Sequence, residues 1–408
     1  METVAVVTAF LRNRGEVLLL ERSDRVGSYT GQWGAVAGHA EGDPDRLVRV
    51  EIAEETGLDD AVELVRRGEP FTVTDADRET EWRVHPYLFD CERRDVTPNE
   101  ETSRWEWVPP TAIRERETVP DLWRSYDRVR PSVATVADDE THGAAYLSVR
   151  ALDVLRDEAA LANTGEAVAT VARDLLDARA SMHAVSNRIN RVMIDAETPE
   201  SVKREAISAI ERAATADERA ARKAAARLTA LVATLSRSGT VAQALTEADP
   251  DRLVVFESRP GGEGVDVAER FATGTDVTLA PDAAMADVLD RVGVESVIVG
   301  ADTVLPDGRV VNKVGTRPLA AVANRAGVPV VVATATAKIA PEGATTVGRE
   351  PRDDCYDGDV PLSVECPTFE PTPADHIDHL VTEDGRLGEE HVRDRAREHA
   401  TAAAWCDR

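Results

Sequence analysis

The sequence predicts an α/β protein: a mixed sheet between helices, then a helical segment, then a doubly wound parallel sheet. Three observations predict it. Up to residue 125, short apolar runs with period-two alternation flank a single helical pattern. From His142 to about Leu235 the apolar residues recur almost wholly at helical spacing. From Arg252 onward strand-like and helix-like segments alternate, as they do where helices cover both faces of a parallel sheet. At 408 residues the chain exceeds what one core supports. The expected division is 1–125, a linker at 126–141, a helical subdomain at 142–240 and the parallel sheet at 241–408.

The formal net charge of −27 argues against nucleic acid or an acidic membrane surface as a partner, since no broad basic field exists to release counterions. Lysine occurs only at Lys203, Lys223, Lys313 and Lys338, the other basic residues being arginine. Such a composition resembles that of proteins from salt-loving archaea, where screening makes dense carboxylates tolerable. Cys91, Cys355, Cys366 and Cys406 show no zinc spacing and suggest no disulfide framework. The first residues do not read as a signal peptide and no run is long enough to span a membrane, so a cytoplasmic location is expected.

Residues 3–9 and 16–21 read as strands around the Asn13-Arg14-Gly15 turn. A helix follows, with Asp43 as N-cap, Pro44 in its first turn, and Leu47 and Val50 on the expected inward stripe. Glu51, Glu54 and Glu55 fall at i, i+3 and i+4 and so share one helix face. Carboxylates clustered in this way repel unless a cation joins them, and hard Mg2+ or Mn2+ suits oxygen donors.

The stretch Gly38 to Leu58 resembles the Nudix box, Gly-x5-Glu-x7-Arg-Glu-U-x-Glu-Glu-x-Gly-U, of enzymes that hydrolyse a nucleoside diphosphate linked to another group. Glu51-Ile52-Ala53-Glu54-Glu55-Thr56-Gly57-Leu58 matches its second half and Gly38 its opening glycine. The spacing is two residues short, Glu41 or Asp43 stands for the first glutamate, and Val50 replaces the arginine. The resemblance implies a Mg2+ (or Mn2+) site at Glu51, Glu54 and Glu55, either for pyrophosphohydrolysis or on a scaffold that binds without cleaving.

Strand patterns return from Phe71, and Trp105 and Trp107 alternate with charged neighbours as core residues of one sheet face. Arg128 to Thr141 reads as linker. The helical segment places Arg179 to His183 and Asn187 to Arg191 together, and Thr198-Pro199-Glu200-Ser201 starts a further helix. In the last segment, Leu253–Phe256 and Val328–Ala333 are strands, and Glu257 to Gly264 is a glycine-rich loop without the dinucleotide fingerprint. Between them Ser296–Thr316 reads as strand, loop and helix start, so Asp302 and Lys313 would face one crevice beyond the strand ends.

From His142 onward the chain resembles the family of the regulatory subunits of translation initiation factor 2B, methylthioribose-1-phosphate isomerase and ribose-1,5-bisphosphate isomerase. The motifs are Glu257-Ser258-Arg259-Pro260, Gly300-Ala301-Asp302, Asn312-Lys313-Val314-Gly315-Thr316, Cys366 to Pro373, and Thr382-Glu383. The resemblance implies a Rossmann-like sheet, oligomerisation through it as a homodimer or larger assembly, and a catalytic aspartate at Asp302. It implies phosphate contacts from Arg179, Arg259, Asn312 and Lys313. The family cysteine is replaced by Ser236, and a hydroxyl is a poorer proton carrier near neutral pH than a thiol. The expected activity is therefore binding of a nucleotide or sugar phosphate, with sugar-phosphate isomerisation or a non-catalytic assembly role as alternatives.

Overall fold

The computed structural model describes residues 2–40, 42–344, 355–356 and 358–407. The chain forms two compact units, one of residues 1–135, 153–168 and 198–211, the other of 136–152, 169–197 and 212–408.

The first unit opens with β1 (Glu2–Asn13), β2 (Glu16–Arg22), β3 (Trp33–Gly34), β4 (Val36–His39) and α1 (Pro44–Thr56). It continues through β5 (Val62–Arg67), β6 (Phe71–Asp75), β7 (Thr80–Cys91), β8 (Thr102–Val108), α2 (Leu122–Asp127) and α3 (Val133–Ala137). Its sheet runs β3-β2-β1-β7-β5, with β4 on β1, β6 on β7 and β8 on β2. The sheet is mixed, because β1 and β7 are parallel and their other pairings antiparallel.

Period-two alternation sorts the side chains onto two faces. Val7, Ala9, Leu11, Leu18, Leu20, Tyr87 and Phe89 pack with Ile52 of α1, whereas Phe10, Val17, Leu19 and Leu88 pack with Leu122 and Tyr126 of α2. Trp107 enters the first core as expected, but Trp105 is 37% exposed. Residues 126–141, expected as a linker, bury Tyr126, Val129 and Val136.

Asp43 caps α1 by accepting from the Asp45 amide, with Pro44 at the first turn, and Gly57 closes it in the left-handed region at φ 67°. The inward stripe differs from the expectation. Val48, Ile52 and Glu55 are buried, while Val50 is 37% exposed. The i, i+4, i+7 row that faces the sheet therefore carries one of the box carboxylates inward.

This unit also holds a buried charge network. Arg12 is 2% exposed and bonds Asp90 at 2.7 Å. Arg156 bonds Asp153 and Asp157, each at 2.8 Å, and donates to the Gly15 carbonyl at 2.7 Å. The Tyr126 hydroxyl donates to Asp157 at 3.1 Å.

The helices α4 (Ala144–Leu161), α5 (Gly165–Ala178), α6 (His183–Met193) and α7 (Pro199–Ala225) come next. Then come β9 (Leu231–Leu235), α8 (Gly239–Ala248), β10 (Arg252–Phe256), α9 (Glu263–Phe271), β11 (Asp276–Ala280), α10 (Met285–Val292) and β12 (Ser296–Val299). The chain proceeds through β13 (Thr303–Val304), β14 (Val310–Lys313), α11 (Thr316–Ala326), β15 (Val330–Ala333) and β16 (Phe369–Thr372). It ends with β17 (His379–Thr382), β18 (Gly385–Leu387) and α12 (Glu389–Ala402).

The second unit's main sheet has the order β11-β10-β9-β12-β15-β17-β18, parallel except for β18. Three expectations are corrected here. Leu231–Leu235 lies inside the segment read as helical, yet it is a fully buried interior strand of the sheet, between β10 and β12. A short, continuously apolar run carries no period that separates strand from helix. Asn312 and Lys313 end a strand of a second, three-stranded sheet, β13-β14-β16, rather than opening a helix. Cys355 and Cys366, whose spacing suggested nothing, form a disulfide with Cα atoms 5.9 Å apart. No helix among the described residues is long and apolar enough to cross a membrane.

Candidate functional site

Two places concentrate chemistry, one in each unit. In the first, Glu51 and Glu55 project from α1 toward β4. A Cβ on Gly38 would lie 1.9 Å from the Glu51 carboxyl, so this glycine leaves the space that the carboxylate fills. Glu55 is 6% exposed and accepts weakly from the Ala37 amide at 3.4 Å. Burial, with the neighbouring Glu51 charge, pushes the Glu55 carboxyl up to about 8. Burial and then Glu54 raise Glu51 as well, and Glu101, just before β8, adds to both. Spacing along α1 could not reveal Glu101, which reaches the cluster through the fold.

Glu54 is exposed and borders a groove of about 450 Å³ lined also by Arg46, Arg49, Val50, Ala53 and Asp59. Among the described residues no group of three or more His, Cys, Asp or Glu is arranged to hold a metal ion, and Glu41 lies outside the described residues. The pair Glu51 and Glu55 nevertheless fits a hard divalent cation: both are oxygen donors in one cradle, and each is penalised for its charge when no cation offsets it. Gly38→Ala is expected to leave the urea midpoint nearly unchanged, because only the mobile end of Glu51 must yield. It should weaken cation affinity by about tenfold or more, measured by Mn2+ titration. Wild-type affinity in this variant would remove Glu51 from the site.

The second place is the carboxyl edge of the parallel sheet. The chain leaves β9 toward β10 and β11 on one side and returns to β12 on the other, so the strand order reverses between β9 and β12. A ligand crevice is expected there. Two serines in the left-handed region stand at its rim, Ser236 after β9 at φ 61° and Ser258 after β10 at φ 65°. The Ser236 amide donates to the Ser258 hydroxyl at 2.5 Å. Such backbone strain in non-glycine residues is kept where the surroundings enforce it, often at functional loops.

Asp282 accepts from the Ser258 and Arg259 amides at 2.9 and 2.6 Å, leaving the Arg259 side chain exposed beside Glu257. Lys313 is 3% exposed, and its ammonium binds Glu263 at 2.9 Å and the Pro260 carbonyl. Asn312 donates to Thr316 at 3.0 Å. Beyond β12, Gly300 packs against Ser238, and the Asp302 amide donates to the Val311 carbonyl at 2.9 Å. Lys338, 9% exposed, donates to the Ala301 carbonyl at 2.6 Å.

The structure thus links Ser236, Arg259 and Lys313 through one chain of contacts, and sets Asp302 on the neighbouring strand end. Arg179 is engaged elsewhere in this unit, donating to the carbonyls of Val136, at 2.8 Å, and Asp139. Sequence reasoning missed Glu263, Asp282 and Lys338. Lysine scarcity was the one available signal for Lys338.

Comparison with known proteins matches residues 140–388 to the initiation factor 2 subunit family and residues 1–129 to the NUDIX domain. The chain is 32% identical to a ribose 1,5-bisphosphate isomerase of Haloferax volcanii, over 69% of this chain and 97% of that protein. It is 36% identical to a methylthioribose-1-phosphate isomerase of Azotobacter vinelandii, over 36% of this chain and 44% of that protein. Its fold is similar to that of a translation initiation factor eIF-2B of Pyrococcus horikoshii, with a TM-score of 0.55 and 24% identity, covering 62% of this chain and 94% of that one.

Proposed function

Since the chain belongs to the initiation factor 2 subunit family and carries a NUDIX domain at its N-terminus, we propose that its second unit binds a phosphorylated pentose or nucleotide in the crevice between β9 and β12. The observation that carries this reading is the convergence of Ser236, Arg259, Asp302, Lys313 and Lys338 at the point where strand order reverses. Arg259 is an exposed cation at this rim, able to take phosphate through charge-assisted hydrogen bonds. Lys313 and Asn312 act at one remove, the first fixing the Pro260 turn and the second the start of α11.

In titration calorimetry with ribose 1,5-bisphosphate or AMP at molar KCl, Arg259→Ala and Lys313→Ala are each expected to weaken binding by about tenfold or more. Unchanged affinity in both would remove the reading.

A second reading, sugar-phosphate isomerisation, is favoured by the activities named for the relatives. Asp302 would carry the proton between carbons of the substrate. The Ser236 hydroxyl is bonded by no basic side chain among the described residues and so lacks activation for the partner's part. Formation of ribulose 1,5-bisphosphate by wild type, lost in Asp302→Asn, would establish this reading; binding without turnover supports the first.

For the first unit we propose divalent-cation-dependent hydrolysis of a nucleoside diphosphate derivative. Glu51 and Glu55 would hold Mg2+ or Mn2+, which would supply charge neutralisation on the phosphates, while Glu54 faces the open groove beside them. Self-association through the second unit and a cytoplasmic location complete the proposal. The edge strand β11, paired on one side only among the described residues and exposing Leu279 at 48%, supports the association.

A further inference from the structure

Two buried guanidinium groups among the described residues are neutralised at hydrogen-bond distance. Arg156 meets two carboxylates and Arg12 bonds Asp90. Arg188 on α6, the third, differs from them. It is 9% exposed, and its hydrogen bonds go to neutral oxygens, the Ser148 hydroxyl at 2.5 Å and the Ala145 carbonyl at 3.4 Å. Asp217 on α7 and Glu383 after β17 act on it electrostatically, yet among the described residues no carboxylate lies within ion-pair distance of it. Both acids have other partners. Asp217 accepts from the Thr240 hydroxyl at 3.3 Å, and Glu383 accepts from the Thr336 amide and hydroxyl at 2.9 and 2.5 Å. A buried charge left facing neutral groups is costly unless a counter-charge arrives.

Through their own partners, the two acids that act on Arg188 reach the carboxyl edge that holds the crevice. Thr240 lies in the first turn of α8, four residues after Ser236, and Thr336 follows β15. Thr334, which comes directly after β15, is fully buried, and its hydroxyl has no hydrogen-bond partner among the described residues. An unpartnered donor on a buried side chain is the second sign that a group is expected here.

We infer that Arg188, together with the Thr334 hydroxyl, receives a phosphate monoester of the ligand bound at the carboxyl edge of the sheet. The inference rests on the crevice reading above and adds to it an anion seat supplied from the helical side. A guanidinium fork suits a tetrahedral oxyanion, and the hydroxyl adds a donor without adding charge.

The test uses the full chain at molar KCl, with inorganic phosphate and ribose 5-phosphate as probes in titration calorimetry and thermal melts. Arg188→Met is expected to weaken both probes by about 10- to 100-fold. Its melting temperature without ligand should hold or rise, since an under-neutralised buried charge has been removed. Thr334→Val should weaken binding several-fold in the same direction. Wild-type affinity in Arg188→Met overturns the inference, the more clearly if its unliganded melting temperature drops, because Arg188 is then a structural counter-ion of Asp217 and Glu383. Should Arg188→Met not fold, wild-type affinity in both Thr334→Val and Arg188→Lys overturns it. Binding that survives Arg188→Met but not Arg259→Ala defeats the anion seat and spares the crevice, whereas failure of the wild type to bind either probe defeats both.

Discussion

Arg156→Met is expected to destabilise the first unit by about 3–5 kcal/mol, the cost of removing one side of a buried ion pair. Arg156 is 1% exposed, with Asp153 and Asp157 fully buried beside it. Burial raises the Asp157 carboxyl and works against the Arg156 charge, but Asp157 and Asp153 together raise the guanidinium above its ordinary value. The cluster is stable only as a set. Without Arg156, two buried carboxylates and the Gly15 carbonyl each lose a charged donor. Urea unfolding followed by far-UV circular dichroism should show the loss, and a variant that also replaces Asp153 and Asp157 by leucine should recover much of it. A midpoint unmoved in Arg156→Met would refute the account. The same network predicts that residues 1–135 expressed alone are unstable, because Asp153, Arg156 and Asp157 belong to that compact unit.

The stability of the metal-free protein is expected to fall between about pH 4.5 and pH 8 through Glu55. Its carboxyl is raised from 4.5 to about 8, first by burial and then by the Glu51 charge. A raised carboxyl binds more protons in the folded state than in the unfolded one, so its stabilising contribution is complete below the unfolded value. That contribution is lost as pH rises through the folded value. At about 1.4 kcal/mol per unit the difference sums to about 5 kcal/mol. Glu55→Gln, which imitates the protonated acid, should flatten this part of the pH profile. Mn2+ added at pH 8 should raise the wild-type midpoint and leave that of Glu55→Gln nearly unmoved. Equal pH slopes in the two proteins would show that Glu55 does not titrate in this window.

Much of this was legible in the residues. Asp43, Pro44 and Gly57 announced α1, because capping chemistry is local and acts within one turn. The alternation in β1, β2 and β7 gave the two-faced core of the first unit. The rotation of α1 was not legible. Leu47 and Val50 were as apolar as Val48, and only docking on the sheet selected the row that carries Glu55 inward. The strand Leu231–Leu235 was hidden for a related reason, since burial on both faces erases the alternation by which a strand is read.

By itself the sequence determined the two families, the helix bearing three glutamates, and Asp302 and Lys313 around a strand end, all of which follow from neighbours in the chain. The tertiary structure alone decided which charges meet. It set Arg156 against Gly15, 141 positions away, turned Lys313 onto Glu263, and left Arg188 buried among neutral oxygens. Spacing fixes what lies on one helix face or strand end, whereas the partner of a buried charge is chosen by how distant elements pack.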